Sequence, residues 1–322
     1  MQHIEQVFVG VDVSKSTLSS HTYGSKERRD FANEEATIST WLASLPANAC
    51  IAVEATGRYH QLLIRLAHAS GRRAFVLNAG DVFFYAKSLG VRGKTDRKDA
   101  RVIATNLAQH HDELRVWAPT ASRQERIEDL LRCRAGVARK RSSLKQLLSD
   151  TQGLEVCVGA LEGQFEALLT HIDVQITALV DEDPVFSARC RQLRTIAGVG
   201  PQVSVRLASL FSRFEFANSD AAVAFTGLDP RPRDSGTMIG RRRISKRGDP
   251  ELRRLLYLMA FAATRSKAIG PVYKAIKARG FKPTQALVIL ARKLMRVALA
   301  IWRSGKDFDP TQLGPRNTCA QP

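Results

Sequence analysis

Apolar and polar positions in the first third of the chain change period several times. Val7-Phe8-Val9-Gly10-Val11 and Cys50-Ile51-Ala52-Val53 are near-continuous apolar runs of strand length, and a carboxylate closes each, Asp12 and Glu54. The two acids are therefore expected near the ends of buried, neighbouring strands. Strands are expected over Val7 to Val13, Thr17 to Tyr23, Arg29 to Ala32, Cys50 to Ala55 and Ala74 to Asn78, with helices around Ile38 to Leu45 and Gln61 to Ala69. A hairpin followed by a crossover is an α/β order.

From about Ser122 to Cys190 the period becomes helical. Ile127, Leu130, Leu131, Val137, Leu144, Leu147 and Leu148 form one stripe, and Leu161, Phe165, Leu168, Leu169, Ile172, Ile176 and Leu179 continue it. Gly153, Gly159 and Gly163 predict a break between them, giving two long helices. Such helices form an antiparallel arm or an intermolecular coiled coil, or serve as ordinary core helices. Further on, Leu193-Arg194-Thr195-Ile196-Ala197-Gly198-Val199-Gly200-Pro201 sets a Gly-x-Gly turn between two helices. A turn of this kind can offer backbone N–H groups at a helix N-terminus to a DNA phosphate, as helix-hairpin-helix modules do, or be a plain interhelical turn.

Composition narrows the partners. A chain of 322 residues with 44% apolar content can bury at least one sizeable core and has room for two domains. Forty-nine basic against thirty-one acidic residues give a formal charge of +18 and a pI near 10.2, the footprint of a polyanion binder. A highly soluble basic protein or a membrane-surface binder is the blander reading. No stretch approaches the roughly 18 uninterrupted apolar residues of a membrane span, and no signal-peptide pattern opens the chain. Cys50, Cys133, Cys157, Cys190 and Cys319 are scattered and without CxxC spacing, as expected of reduced cytoplasmic thiols. Basic side chains concentrate in one place: Arg231, Arg233, Arg241, Arg242, Arg243, Lys246, Arg247, Arg253 and Arg254 stand against Asp234, Asp249 and Glu251. Glycine, serine and proline interrupt the run, and apolar helices such as Leu255 to Phe261 flank it, so a structured phosphate-binding loop is expected rather than a solvated tail.

Two further acids complete a candidate site. Asp96 and Asp99 open an apolar-periodic run through Val102, Ile103 and Leu107, with Thr95 as a plausible N-cap, so both face the same side of one helix. Singly, each acid can be a turn or cap residue; together they repel one another unless a hard divalent cation neutralises them. Two Mg²⁺ ions, or Mn²⁺ in their place, would stabilise the attacking and leaving oxygens of an in-line phosphoryl displacement. Ser235 lies in the basic segment. The histidines end at His171 and no G-x-S-x-G elbow surrounds it, so activation of Ser235 by metal or arginine is more economical than by a histidine.

Seven blocks in order resemble the DEDD transposases of the insertion-sequence family called IS one-ten. They are Val9-Gly10-Val11-Asp12, Glu54 to Tyr59, Lys94 to Ala100, Ile196 to Gly200, Phe225 to Pro230, Asp234-Ser235-Gly236, and Ile244 to Gly248 with Leu252-Arg253-Arg254. The resemblance implies an α/β RNase H-like (RuvC-like) amino-terminal domain over 1–120, with Asp12, Glu54, Asp96 and Asp99 as catalytic metal ligands. It implies a helical coiled-coil arm over 121–190. It also implies a mainly α carboxy-terminal transposase domain over 191–322, whose helix-hairpin-helix-like turn and basic loop bind nucleic acid and whose Ser235 forms a covalent phosphoserine link to DNA. Its implied partners are donor and target DNA, a structured bridge RNA that pairs with both, and further copies of the chain, as a dimer and a synaptic tetramer; its implied location is the bacterial cytoplasm and nucleoid. Two readings compete: a junction resolvase using metal-activated water, and a non-enzymatic nucleic-acid binder in which the acids are structural. The spacing after Gly240 departs locally from the family pattern, and the tail after Phe308 carries no motif.

Overall fold

A computed structural model of the chain describes residues 6–55, 57–90, 96–149, 151–231, 240 and 242–313, with the side chains of residues 96–98, 312 and 313 outside that description. Contacts divide the chain into two compact units, Met1–Pro119 and Thr120–Pro322.

In the first unit, β1 (Phe8–Val13), β2 (Thr17–Thr22) and β3 (Arg28–Ala32) form an antiparallel meander. After α1 (Glu35–Ala43), β4 (Cys50–Glu54) pairs parallel with β1; after α2 (Gln61–Ala69), β5 (Ala74–Leu77) pairs parallel with β4. The sheet order is β3-β2-β1-β4-β5. Two helices follow, α3 (Ala79–Ser88) and α4 (Asp96–His110). Every expected strand and both expected helices are present. Strand β5 stops at Leu77 because the Asn78 side chain accepts a 2.8 Å hydrogen bond from the Gly80 amide and caps α3. Helix α3 has no counterpart among the expected elements: Val82 is its buried residue and Phe83 and Phe84 point to solvent, so it carries little periodic signal.

Alternation along the strands builds two apolar layers. Val9, Val11 and Val13 face α1 and α2, packing with Ile38, Trp41, Leu63 and Ile64. Cys50, Ala52, Phe75 and Leu77 face the other way, onto Val82 of α3 and Val102, Ile103 and Leu107 of α4. Strand β4 is buried on both sides, which is why its sequence is apolar without alternation.

The second unit is mainly helical. Two long helices, α5 (Ser122–Leu148) and α6 (Glu155–Asp181), precede α7 (Pro184–Arg194), α8 (Pro201–Arg213) and α9 (Ser219–Thr226). A two-stranded ribbon, β6 (Pro230–Arg231) with β7 (Arg243–Ile244), leads into α10 (Pro250–Ala263), α11 (Gly270–Ala278), α12 (Pro283–Ser304) and a short turn of 3₁₀ helix at Pro310–Leu313. Ion pairs fix the sense of the long helices: Arg123–Asp183 at 2.6 Å, Arg134–Asp173 at 2.6 Å and Arg141–Glu162 at 2.8 Å. Positions rise along α5 as they fall along α6, so the pair is antiparallel. One of the expected break signals held and two did not. Gly153 turns the chain at a φ of +81°, whereas Gly159 and Gly163 lie inside α6 with open space around them. An exposed helical glycine costs only about 1 kcal/mol, too little to end a long helix that packs along its length. Ile127 and Leu131 of α5 and Ile172, Ile176 and Val180 of α6 enter the core made by α7 to α12, while Leu147 and Val156 near the turn are 74% and 86% exposed.

Candidate active site

In the first unit the strand register brings two of the sequence-selected acids, Asp12 and Glu54, to one end of the sheet. Val11 pairs with Val53 across the parallel β1–β4 ladder, so the next residues, Asp12 and Glu54, stand level on adjacent strands. Both are half-buried. Side chains alternate along a strand, so Asp12 shares the face of Gly10 and Phe8, the face covered by α4. A Cβ on Gly10 would overlap the Ala104 amide nitrogen and the Ala100 carbonyl of α4, so glycine is what lets the helix backbone lie directly on the strand. Nearer the start of β1, the Phe8 ring lies 4.7 Å from the ring of His111, just past the end of α4. Helix α4 therefore runs against the direction of β1, and its first turn, with Asp96 and the half-buried Asp99, lies toward the Asp12 end.

Two residues that sequence reasoning missed extend this row. Asp12 pairs with Ser19 on β2, and Ser19 pairs with Asp30 on β3. The buried Ser19 hydroxyl donates to Asp30 at 2.6 Å, and Arg28 clamps the same carboxylate at 2.6 and 2.7 Å. Arg28 also reaches the Ser19 oxygen at 3.3 Å. Neither Ser19 nor Asp30 sits in a motif, and only the antiparallel register puts them beside Asp12. His21, opposite Gly10, lies on the same face; burial and then the nearby Arg101 guanidinium hold its pKa below the ordinary imidazole value.

This donor set is all oxygen and suits a hard divalent cation. The described acids alone do not close around one: among the described residues no group of three or more histidine, cysteine, aspartate or glutamate side chains is placed to hold a metal ion. The Asp96 side chain lies outside the described residues.

In the second unit, two motif blocks separated along the chain lock onto one another. Helix α9 ends at Gly227, whose φ of +70° and contact with the Arg247 backbone leave no room for a Cβ. Gly248, at a φ of +82°, is pressed against the Phe225 carbonyl in return. The Lys246 amide donates to the Gly227 carbonyl at 3.0 Å, the Ser245 amide to the Asp229 carbonyl at 2.9 Å, and the Ser245 hydroxyl to the Asp229 carboxylate. Arg253 of α10 closes the assembly, its guanidinium donating to the carbonyls of Arg247 at 2.8 Å, Gly248 at 2.9 Å and Thr226 at 3.3 Å. The result is a rigid base under the β6–β7 ribbon, whose strands pair Pro230 with Ile244 and Arg231 with Arg243. Ser235, Arg233 and Arg241, between those strands, lie outside the described residues. Arg231, Arg242, Arg243, Lys246 and Arg247 are exposed.

The Gly-x-Gly turn joins α7 to α8. Gly198 has a φ of +93°, and a Cβ there would come within 2.5 Å of the Met259 carbonyl and 2.8 Å of the Ala263 amide of α10. Close helix packing thus accounts for Gly198. Gly200 is the N-cap of α8 and has open space around it.

Clustered strand-end acids in one unit and a braced basic ribbon in the other coincide with two matches to known families. Residues 9–151 match a transposase family of the DEDD type, and residues 190–274 match the family described as Transposase IS116/IS110/IS902. The chain is a transposase, of the class that catalyses DNA strand cleavage and exchange. It carries both domains of the IS110/IS116/IS902 transposase family, the one its motif blocks resemble. Among curated relatives, the pilin gene-inverting protein of Moraxella lacunata is 26% identical across 95% of this chain and 98% of that protein. The protein of the same name from Moraxella bovis is 25% identical over the same shares. An uncharacterized 43.6 kDa protein of insertion element IS110 from Streptomyces coelicolor is 29% identical over 51% of this chain and 40% of its own length. No helix among the described residues is long and apolar enough to cross a membrane.

Proposed function

We propose that this transposase moves its insertion sequence by metal-dependent cutting and rejoining of DNA through a phosphoserine intermediate, guided by a bridge RNA. The observation that carries the reading is the level placement of Asp12 and Glu54 at the ends of paired strands, beside the end of α4 that bears Asp96 and Asp99. Mixed parallel and antiparallel pairing in the same sheet supports an RNase H-type assignment for this domain. Asp12, Glu54, Asp96 and Asp99 would hold Mg²⁺ or Mn²⁺, which when bound supplies charge stabilisation at the scissile phosphate.

Ser235 is the nucleophile of this reading. Its oxygen bonds to phosphorus as a sugar oxygen leaves and takes up a proton, so one phosphodiester replaces another and rejoining needs no outside energy source. The ribbon base supports this role, because a covalent intermediate must be held while strands exchange. Exposed Arg231, Arg242, Arg243, Lys246 and Arg247 contact backbone phosphates, with Arg233 and Arg241 on the same segment. Arg253 acts here mainly by bracing the loop, given its three carbonyl partners. Target choice then lies in base pairing, a logic shared with other RNA-guided systems. Donor and target DNA, the RNA and further copies of the chain are the partners.

The test is recombination of two DNA molecules with Mg²⁺, using the wild type, Asp12→Ala and Ser235→Ala, with and without RNA transcribed from the flank of the gene. RNA-dependent joining lost in both variants is expected. Cutting without joining, independent of RNA and retained in Ser235→Ala, would reassign the chain as a metal-dependent structure-specific nuclease.

A further inference from the structure

Beside the base of the β6–β7 ribbon is a cavity of about 340 Å³, at the small end of the roughly 300–1,000 Å³ of ligand sites. Leu228, Ile244, Val288 and Ala291 make its apolar walls, the half-buried Tyr257 ring contributes an aromatic surface, and Lys246, Arg253 and Arg254 complete the lining. No carboxylate is among its described lining residues. The larger cavity between α5, α8 and α10 differs: Glu128, Asp249 and Glu251 stand among its arginines and pair with Arg213, Arg206 and Arg254, with Arg206–Asp249 at 2.6 Å and Arg254–Glu251 at 2.6 Å. That cavity mixes both signs of charge, whereas the described lining of the smaller one sets basic groups alone against an apolar wall.

Backbone geometry sharpens the contrast. Lys246 has a φ of +56° and is the only non-glycine residue with positive φ among the described residues. A side chain held in that region is strained, and the strain persists only where the surroundings impose it. Here Gly227, Gly248 and Arg253 impose it, and the exposed Lys246 ammonium is displayed beside the cavity. Arg253 is anchored to carbonyl oxygens and keeps its charge while Arg254 is paired with Glu251, so Lys246 and Arg253 supply the positive charge at this cavity.

We propose that this cavity binds one unstacked nucleotide of the nucleic-acid strand at the ribbon, with the base against Tyr257 and the phosphate at Lys246. Planar apolar rings with an anionic group at one edge are the ligand chemistry that an apolar, aromatic cavity with adjoining cations selects. The proposal rests on the reading of the second unit as a nucleic-acid binder and adds a specific seat for one base.

Its test uses the full-length protein with single-stranded oligonucleotides that carry one 5-iodouracil, in matched DNA and RNA versions, crosslinked by light and mapped by peptide mass. A crosslink at Tyr257 is expected, together with binding weakened about tenfold to a hundredfold in Tyr257→Leu, the range for loss of one base–aromatic stack. Val288→Phe, which fills the cavity, should weaken binding similarly, while Tyr257→Phe retains it. If Val288→Phe does not fold, the Tyr257→Leu and Tyr257→Phe pair decides alone. Crosslinking of DNA alone assigns the seat to the exchanged strand, and of RNA alone to the guide. Crosslinks away from this cavity with unchanged binding in Tyr257→Leu overturn the proposal. A wild type that binds neither strand overturns the nucleic-acid reading and the seat with it.

Discussion

The two units set up their chemistry by different means. In the first, candidate groups are side chains carried to one place by strand register: Asp12 level with Glu54, flanked by Ser19 and Asp30, with the α4 backbone laid on Gly10. In the second, the backbone itself is the device: Gly227 and Gly248 let two chain segments interlock, and Arg253 fastens them through carbonyl oxygens. A site built from register tolerates isosteric side-chain changes structurally and loses only chemistry. A site built from interlocked backbone fails when a single methyl group is added.

The sharpest way to break this comparison is Asp12→Asn. Loss of strand cleavage on the order of 10⁴-fold is expected, with an unchanged thermal midpoint, as measured by cleavage assay and calorimetry. A large loss of stability in this variant would mean that the acid is structural. Gly227→Ala should do the reverse. Its left-handed φ and the facing Arg247 carbonyl predict a loss of about 1–3 kcal/mol in chemical denaturation. Gly10→Ala should cost a similar amount, because the α4 backbone must move away from β1.

Asp30→Asn lies between these cases. It keeps the shape of the carboxyl group but weakens the clamp from Arg28 and the acceptor for Ser19. We expect the Mg²⁺ needed for half-maximal cleavage to rise roughly 10- to 100-fold, the usual effect of groups that orient metal ligands. An unchanged Mg²⁺ titration would confine Asp30 to holding the sheet edge.

The smallest effect concerns His21. Its folded pKa is depressed by burial, so the folded state disfavours the imidazolium. The stability it contributes is complete above the ordinary value of 6.5 and declines as pH falls below that toward the folded value. Comparing His21→Gln with the wild type by denaturation across this window should show a shallower acid dependence in the variant.

Much of the first unit was legible because β1 and β4 are apolar runs closed by acids, and α1 and α2 carry apolar stripes. Helix α3 escaped because one buried residue makes no stripe. Gly159 and Gly163 misled because a glycine's local preference is small beside the packing of a 27-residue helix. Ser19 and Asp30 carried no signal of their own, since polar residues on a strand near a sheet edge are ordinary. In the second unit the motif blocks were visible, but their mutual locking was not, because the contact of Gly227 with the Arg247 backbone joins residues that no local pattern links.

The sequence by itself determined the order of the five strands with α1 and α2, the strand-end position of Asp12 and Glu54, the helical nature of α5 and α6, and the strong positive charge. These follow from local periodicity and composition, which act over a few residues. Only the tertiary structure decided which polar side chains stand beside Asp12, why Gly10, Gly198, Gly227 and Gly248 must lack side chains, and where an apolar cavity adjoins cations. Those features depend on close approach between segments distant along the chain, and no local pattern encodes a distance.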